Sequence, residues 1–319
     1  MESLVNLLLS KIKTLNETVW ESRASEPAIA EWLDNFGPAA PPPRDERTHA
    51  LFLLSNFMYF GDRQIRELLK ALYRDLYRYP IIAGIRRANH DTLESAIVEP
   101  LFRAELNRTR FLGVGNPSES GCHLLYYFRQ ENSLPKTLFI HTHQIFSRSG
   151  AAAPSQLRDP AINRYVFIDD FCGSGKQGTE YSRDLVEEIK RLNPGAIVEY
   201  YVLFATTQGI TKVRNETRFD SAKAIYELDV SFKCFSPTSR FFETPPPPPE
   251  IDKAFCEQMC RTYGTQMVTG WHVLGYDDSQ LLLGFHHNTP DNTLPVIWFD
   301  QSGPFAWKPI FRRYPKLEW

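Results

Sequence analysis

The spacing of apolar residues changes along the chain, and this change predicts two kinds of structure. From residue 111 onward, short segments rich in apolar residues predict strands over residues 111–115, 137–141, 165–169, 197–205 and 224–228. Between them, helices are predicted over residues 123–129 and over residues 179–191, where apolar residues recur at helical spacing. Because strands that alternate with helices form parallel sheets, we expect an α/β fold with helices on both faces of the sheet.

The part of the chain before residue 111 has helical spacing instead. Residues 1–15 place leucine and isoleucine on one helical stripe, and residues 50–79 repeat leucine, tyrosine and phenylalanine at helical intervals. The stripe predicts a helix that docks within the chain or onto a partner. Glu2 and the lack of a basic start with a cleavage site argue against a signal peptide, and no apolar run is long enough to cross a membrane.

Two proline-rich stretches divide the chain. Residues 37–43 end the first helical segment, and residues 245–249 are consecutive prolines that favour an extended polyproline II spacer. The predicted organisation is an N-terminal helical segment over residues 1–37, a helical region packing on the core over residues 44–100, an α/β core over residues 101–240, and a C-terminal segment completing the core or its pocket over residues 250–319.

Two adjacent carboxylates follow a predicted core strand and precede a glycine-rich loop. The carboxylates are Asp169 and Asp170, and the loop contains Gly173, Ser174 and Gly175. Glycine lets backbone amides approach a ligand closely, so such a loop can bind an oxyanion. The carboxylates repel phosphate but accept hydrogen bonds from vicinal sugar hydroxyls. A phosphorylated ribose therefore matches both parts of the motif.

A nucleoside-triphosphate P-loop is an alternative interpretation of this loop, and the spacing argues against it. The first glycine of that motif would stand five residues before Gly175, where the chain has Asp170. The residue after Lys176 should be a serine or threonine that reaches magnesium, and it is Gln177. A second alternative is an acidic strand end followed by an ordinary turn.

The segment resembles the phosphoribosyl-pyrophosphate motif of type I phosphoribosyltransferases, in which hydrophobic residues precede two acidic residues, a short variable stretch and Ser/Thr-Gly. Lys176 and Gln177 depart from the small residue and the threonine of that pattern. The resemblance implies that the acidic pair is catalytic and binds the ribose hydroxyls, and that the loop binds the 5′ phosphate. The implied ribose and phosphate site consists of Asp169, Asp170, Gly173, Ser174, Gly175, Lys176 and Gln177.

Two further segments extend the resemblance over residues 48–300. A polar loop after residues 111–115 is similar in placement to the pyrophosphate loop of the same superfamily, and its residues are Ser118, Glu119, Ser120 and Gly121. A second polar loop lies between apolar runs, predicted as strands, at residues 281–285 and 294–298. Its candidate pocket residues are His287, Asn288, Thr289 and Asn292. Together these segments resemble the phosphoribosyltransferase-like domains of bacterial conflict systems, some of which accompany reverse transcriptases in retrons.

The resemblance implies a toxic effector of an antiviral defence system that transfers or cleaves at the ribose anomeric carbon. The implied ligand is phosphoribosyl pyrophosphate or a nucleotide, and the implied cofactor is Mg²⁺. The protein would supply no direct metal ligand, because magnesium would bind through the ligand and through waters near Asp169 and Asp170. A protein partner from the same defence operon, such as a reverse transcriptase, is also implied. The alternatives are a catalytically inactive ligand-binding regulator and an assembly partner of a defence complex.

Composition limits the partners and the compartment. A net charge of −2 and an isoelectric point near 6.5 give no overall electrostatic signal for direct nucleic-acid binding. The basic residues over 63–87 favour an amphipathic helix with solvated arginines over the alternative of a nucleic-acid surface. The chain has five cysteines, an odd number without CxxC spacing, which argues for a reducing compartment. We therefore expect a cytoplasmic protein.

Overall fold

The computed structural model describes residues 3–38, 40–41, 43–115, 120–147, 155–243, 245–302 and 305–314. The chain divides into two compact units. The first unit joins Met1–Ile65 to Asp229–Trp319, and the second unit is Arg66–Leu228. The divisions therefore fall after residues 65 and 228, and not at the proline runs, because the two ends of the chain share one core.

The helices of the described chain are α1 (Leu4–Thr18), α2 (Glu26–Leu33), α3 (Glu46–Ser55), α4 (Asp62–Ala71), α5 (Tyr79–Ala88), α6 (Ser95–Asn107), α7 (Ser120–Glu131), α8 (Lys176–Tyr181), α9 (Glu187–Leu192), α10 (Thr207–Glu216), α11 (Lys253–Met267) and α12 (Pro295–Trp298). Two π-helical turns, Leu72–Arg78 and Ser182–Val186, connect α4 to α5 and α8 to α9. The strands are β1 (Met58–Phe60), β2 (Thr109–Gly113), β3 (Phe146–Ser147), β4 (Gln156–Leu157), β5 (Arg164–Cys172), β6 (Ile197–Thr206), β7 (Ser221–Leu228) and β8 (Leu283–Phe285).

The first unit has its own hydrophobic core, which includes the stripe of α1. Leu8 and Ile12 of α1 are buried in this core, and the indole of Trp32 donates a hydrogen bond of 2.8 Å to the carbonyl of Val296. β1 and β8 pair in parallel, so the two ends of the chain also share a small sheet. The strand predicted over residues 294–298 was wrong. These residues form α12 instead, because Pro295 cannot donate to a sheet and fits the first turn of a helix.

The second unit contains a parallel four-stranded sheet in the order β2-β5-β6-β7. On one face, Phe111 contacts Tyr77 of the first π-helical turn and Phe128 of α7. On the other face, Leu112 and Phe167 belong to a core cluster with residues of α9 and α10. Helices therefore cover both faces, which confirms the predicted fold class.

The strand predicted over residues 137–141 was also wrong. Pro135 precedes a 3₁₀ turn at Lys136–Leu138, and a second such turn begins at Thr142, so too few residues stay extended. Phe139 makes one parallel bridge to Phe111, on the edge of β2 that β5 does not occupy. After β2 the chain continues to Phe139, beside the outer edge of β2, whereas after β5 it continues to β6, on the opposite side of β5. Such a reversal opens a crevice at the carboxyl ends of the strands, where α/β proteins bind ligands.

Among the residues described, no helix combines the length and the apolar character that crossing a membrane requires.

Candidate active site

The acidic pair lies at the crevice between β2 and β5. β5 continues to Cys172, three residues beyond its predicted end, so both carboxylates belong to the strand itself. β2 pairs with β5 only as far as Gly113 and Ile168. Asp169 and Asp170 therefore follow directly after the point where β2 stops covering β5. Both are buried, with 3% and 9% of their surface exposed.

Asp169 is held in the interior by hydrogen bonds to both of its carboxylate oxygens. The hydroxyl of Tyr200 on β6 donates to Oδ2 at 3.0 Å, and the backbone amide of Asp170 donates to Oδ1 at 3.0 Å. Burial, followed by the negative charge of Asp170, raises the pKa of Asp169 well above its usual range. A hydrogen bond between the carboxyl groups of Asp169 and Asp170 is a further cause of this raised pKa.

The interior around Asp169 suppresses ionisation of its neighbours as well. Burial and the charge of Asp169 raise the pKa of Cys172 to about 12. The same two causes, in the same order, raise the pKa of Tyr200 well above its usual range. At neutral pH, Tyr200 therefore keeps the proton that it donates to Asp169, and Cys172 remains a thiol.

The glycine loop after β5 is fixed by the start of α10. The hydroxyl of Thr206 donates to the carbonyl of Gly173 at 2.6 Å and accepts from the amide of Gly209 at 2.9 Å. A Cβ atom at Gly209 would lie 2.1 Å from the Gly173 carbonyl oxygen, so only glycine allows this approach. Gly175 has a φ of +74° and begins α8, a conformation that glycine adopts without strain.

The first turn of α8 supplies polar groups to the loop. The amide of Lys176 donates to Ser174 Oγ at 3.4 Å, and Thr179 caps the turn by donating its amide and its hydroxyl to the Gly175 carbonyl. The ammonium of Lys176 lies 3.9 Å from Glu180, and its side chain is 65% exposed. The loop thus places an exposed cation beside half-buried Gly173 and Ser174, which suits an anionic group.

The loop proposed to bind pyrophosphate is described only in part. Ser118 and Glu119 lie outside the described residues, and Ser120 and Gly121 are the first residues of α7. Before this loop, Gly115 has a φ of +98°, and its carbonyl accepts a hydrogen bond of 2.6 Å from the hydroxyl of Tyr181. The segment after β2 is therefore fastened to the helix that follows the glycine loop.

The candidate pocket residues after β8 belong to the first unit, where they support their own loop. Asn288 Oδ1 accepts from the amides of Thr289 and Tyr314, and the buried Asn292 donates to the Tyr276 carbonyl and to Ser279. Thr289 is buried, and its hydroxyl donates to the Phe311 carbonyl. The ring of His287 stacks on Phe285 with centroids 5.5 Å apart. Their contact with a substrate stays a prediction.

A family model described as PRTase-CE matches residues 29–313 of the chain. The chain belongs to the PRTase-CE family. The match covers the whole second unit and most of the first unit. It confirms the phosphoribosyltransferase-like character expected from the motif around Asp169 and Asp170.

Several solved phosphoribosyltransferase structures are similar to the PRTase-CE chain. The xanthine-guanine-hypoxanthine phosphoribosyltransferase of Helicobacter pylori is 9% identical, with coverage of 52% of this chain and 85% of that chain and a TM-score of 0.30. The orotate phosphoribosyltransferase of Aeropyrum pernix is 17% identical, with coverages of 41% and 73% and a TM-score of 0.23. The purine phosphoribosyltransferase of Pyrococcus horikoshii is 12% identical, with coverages of 54% and 91% and a TM-score of 0.24. A search of curated proteins finds no match.

The described residues of the PRTase-CE chain contain no group of three His, Cys, Asp or Glu side chains arranged to hold a metal ion. At the acidic pair, both oxygens of Asp169 already accept hydrogen bonds from the protein. The donor set therefore fits magnesium that is held by a ligand and by water, and it does not fit direct coordination by several side chains.

Four residues that shape this PRTase-CE site were not predicted. Tyr200 holds Asp169, Thr206 and Gly209 fix the glycine loop, and Tyr181 fastens the two loops. One local pattern could have predicted how the glycine loop is fixed. Thr206 stands directly before a helix, where threonine is a typical N-cap, and Gly209, three positions later, leaves room for close contact with another backbone. Tyr200 had no such pattern, since it lies in a continuous apolar strand.

Proposed function

We propose that this protein binds a phosphorylated ribose, as phosphoribosyl pyrophosphate or a nucleotide, at the carboxyl ends of β2 and β5. The observation that supports this most directly is the placement of a buried acidic pair next to a glycine loop whose backbone is fixed by Thr206 and Gly209. Sugar hydroxyls need acceptors and a phosphate needs amide donors, and the crevice brings the two close together.

The two carboxylates have different roles in this proposal. Asp170 accepts hydrogen bonds from the ribose hydroxyls. Asp169 is a positioning residue, because its oxygens are engaged by Tyr200 and by the amide of Asp170, and it thereby orients the backbone that presents Asp170. The loop of residues 173–177 binds the 5′ phosphate, and residues 118–121 bind the pyrophosphate.

The reaction proposed is breakage of the bond between the anomeric carbon and its leaving group. Positive charge develops on the ribose as that bond breaks, and the site accelerates the step by holding phosphate and hydroxyls in a fixed orientation. Magnesium, when bound through ligand oxygens and water, would offset the charge of the pyrophosphate. A base as the acceptor gives transfer, whereas water as the acceptor gives cleavage of a nucleotide.

Ligand titration with thermal unfolding tests the binding proposal. Phosphoribosyl pyrophosphate, ribose 5-phosphate and common nucleotides are added with and without magnesium to the wild type, to Asp170→Asn and to Asp184→Asn. Asp184 is an exposed acid of the second π-helical turn and provides the matched control. Ligand at about 100 times its Kd stabilises the native state by about 2.7 kcal/mol, so the midpoint should rise in the wild type and the control. An equal rise in Asp170→Asn, or no rise with any ligand, contradicts the proposal.

A binding module without turnover is the second candidate function. The observation that favours it is the engagement of both Asp169 oxygens, which gives this buried carboxyl group a supporting role in place of contact with a reacting ligand. Phosphorus NMR separates the two functions, because an enzyme releases pyrophosphate from phosphoribosyl pyrophosphate when an acceptor base or water is present. A regulator gives the thermal shift and leaves the phosphorus spectrum unchanged.

The role of a toxic effector in antiviral defence, with a partner such as a reverse transcriptase, is proposed from the resemblance of the motifs. Expression of the wild type with its genomic neighbours should slow growth under phage challenge, and Asp170→Asn should not. Equal effects of the wild type and of Asp170→Asn on growth would show that the defence role does not depend on this site.

A further inference from the structure

The second unit contains another cavity, at the opposite end of the strands from the acidic pair. Its volume is about 390 Å³. The floor consists of Arg164, the first residue of β5, with Glu199 and Tyr201 near the start of β6. The walls are mainly aliphatic residues of the first π-helical turn and of α5. The strands are parallel, so this cavity lies at their amino ends, whereas Asp170 and the glycine loop lie at their carboxyl ends.

The floor holds a buried ion pair that is not fully satisfied. Arg164 Nη1 lies 2.6 Å from Glu199 Oε2, and the two side chains are only 13% and 10% exposed. Arg164 Nε is buried without a hydrogen-bond partner among the described residues. Burial, and then the charge of Glu199, raises the pKa of Tyr201. A buried pair is often no more stabilising than apolar residues of similar size, and a buried donor without a partner destabilises the fold. The stability of the fold therefore does not account for this floor.

The wall of the cavity contains a glycine that packing does not require. Gly84 lies in the middle of α5, and a Cβ atom built on it would have no neighbour within 4 Å. Glycine in a helix interior is less stable than alanine. Glycine at such a position leaves the helix backbone open to close approach by another molecule.

We propose that this cavity binds an uncharged, flat, bicyclic heterocycle with hydrogen-bonding atoms along one edge. The aliphatic walls and the bare backbone at Gly84 suit the face of a flat ring. Glu199 neutralises Arg164, and Glu105 also lines the cavity, so the lining has an excess of negative charge that disfavours an anionic ligand. The guanidinium donors and the carboxylate acceptor lie side by side, which complements a ring edge that has an acceptor next to a donor. The proposal concerns a site separate from that of the phosphorylated ribose.

The test uses adenine and indole as probes on the full chain. Adenine has both an acceptor and a donor on its edge, whereas indole has one donor. Saturation-transfer NMR and calorimetry compare the wild type with Gly84→Leu, which fills the cavity, and with Gly84→Ala, which leaves most of it open. We expect saturable binding of both probes, with adenine the tighter, a loss of at least about tenfold in Gly84→Leu, and a change of less than about threefold in Gly84→Ala.

Two controls keep the result decisive. Should Gly84→Leu lose its native circular dichroism, Ala88→Phe replaces it, because Ala88 is an exposed residue that also lines the cavity. Asp170→Asn should bind adenine as the wild type does, even if the proposed ribose site fails. The absence of saturable binding at millimolar probe, equal binding by all variants, or displacement of adenine by phosphoribosyl pyrophosphate would each overturn the inference.

Discussion

At the scale of a single residue, Asp169 of the candidate site destabilises the fold when its buried carboxyl group ionises. Its carboxylate is buried between β5 and β6 with Tyr200 as its side-chain donor, and burial raises its pKa well above 3.8. The folded protein therefore binds a proton at this residue that the unfolded chain releases near pH 4. The stabilisation that this protonated carboxyl group contributes is complete below about pH 4. It is lost as the pH rises through the pKa that Asp169 has in the folded protein.

We expect Asp169→Asn to stabilise the second unit at neutral pH. The amide has nearly the volume of the neutral acid and does not ionise, so the free energy of unfolding should no longer fall as the pH rises through the folded pKa of this residue. Urea unfolding followed by far-ultraviolet circular dichroism measures this slope, with Asp184→Asn as the exposed control that keeps the wild-type slope. A variant that is less stable than the wild type across this range would contradict the burial assigned to Asp169.

At the scale of elements, the glycine loop obtains its shape from α10. Thr206 binds both the loop and the amide of Gly209, so the carboxyl end of β6 and the start of α10 act as one support. Gly178 gives a second close approach, because a Cβ atom there would lie 3.0 Å from Val213. A loop supported in this way keeps its backbone amides in position before a ligand arrives, which is the requirement for tight anion binding.

Gly209→Ala should displace the loop and weaken ligand binding. Its methyl group would lie 2.1 Å from the Gly173 carbonyl oxygen, so the backbone of the loop must move. We expect destabilisation of about 1–3 kcal/mol and the loss of the phosphoribosyl-pyrophosphate thermal shift. Gly195→Ala is the matched control, because its Cβ atom would make an ordinary contact of 3.5 Å with Asn193. Retained binding in Gly209→Ala would show that the loop shape is not needed.

At the scale of the whole molecule, the two ends of the chain depend on each other. The buried residues of the first unit come from residues 8–59 and from residues 234–311, and they form one cluster. The second unit is a continuous segment with its own sheet and its own core. The amphipathic helix α1 is therefore a component of the first core, which agrees with docking within the chain.

Deletion of residues 1–36 should unfold the first unit and leave the second unit folded. The deletion removes Ile12, Trp20 and Trp32, which are fully buried, and each large apolar side chain contributes about 1.5–3 kcal/mol. The combined loss from these three residues, about 4.5–9 kcal/mol, is comparable to the whole stability of a typical domain. All six tryptophans belong to the first unit, so their fluorescence should lose its cooperative transition. Limited proteolysis should leave a protected fragment near residues 66–228. An unchanged fluorescence transition would refute this dependence.

The sequence by itself determined the features that depend on neighbouring residues. Segments rich in apolar residues predicted four strands of the main sheet, and the spacing around Asp170 and Gly175 predicted the strand, loop and helix that follow one another there. The tertiary structure alone decided which residues share a core. It paired Tyr200 with Asp169 and placed the two ends of the chain in one unit. These outcomes depend on contacts between distant segments, and burial is a property of those contacts.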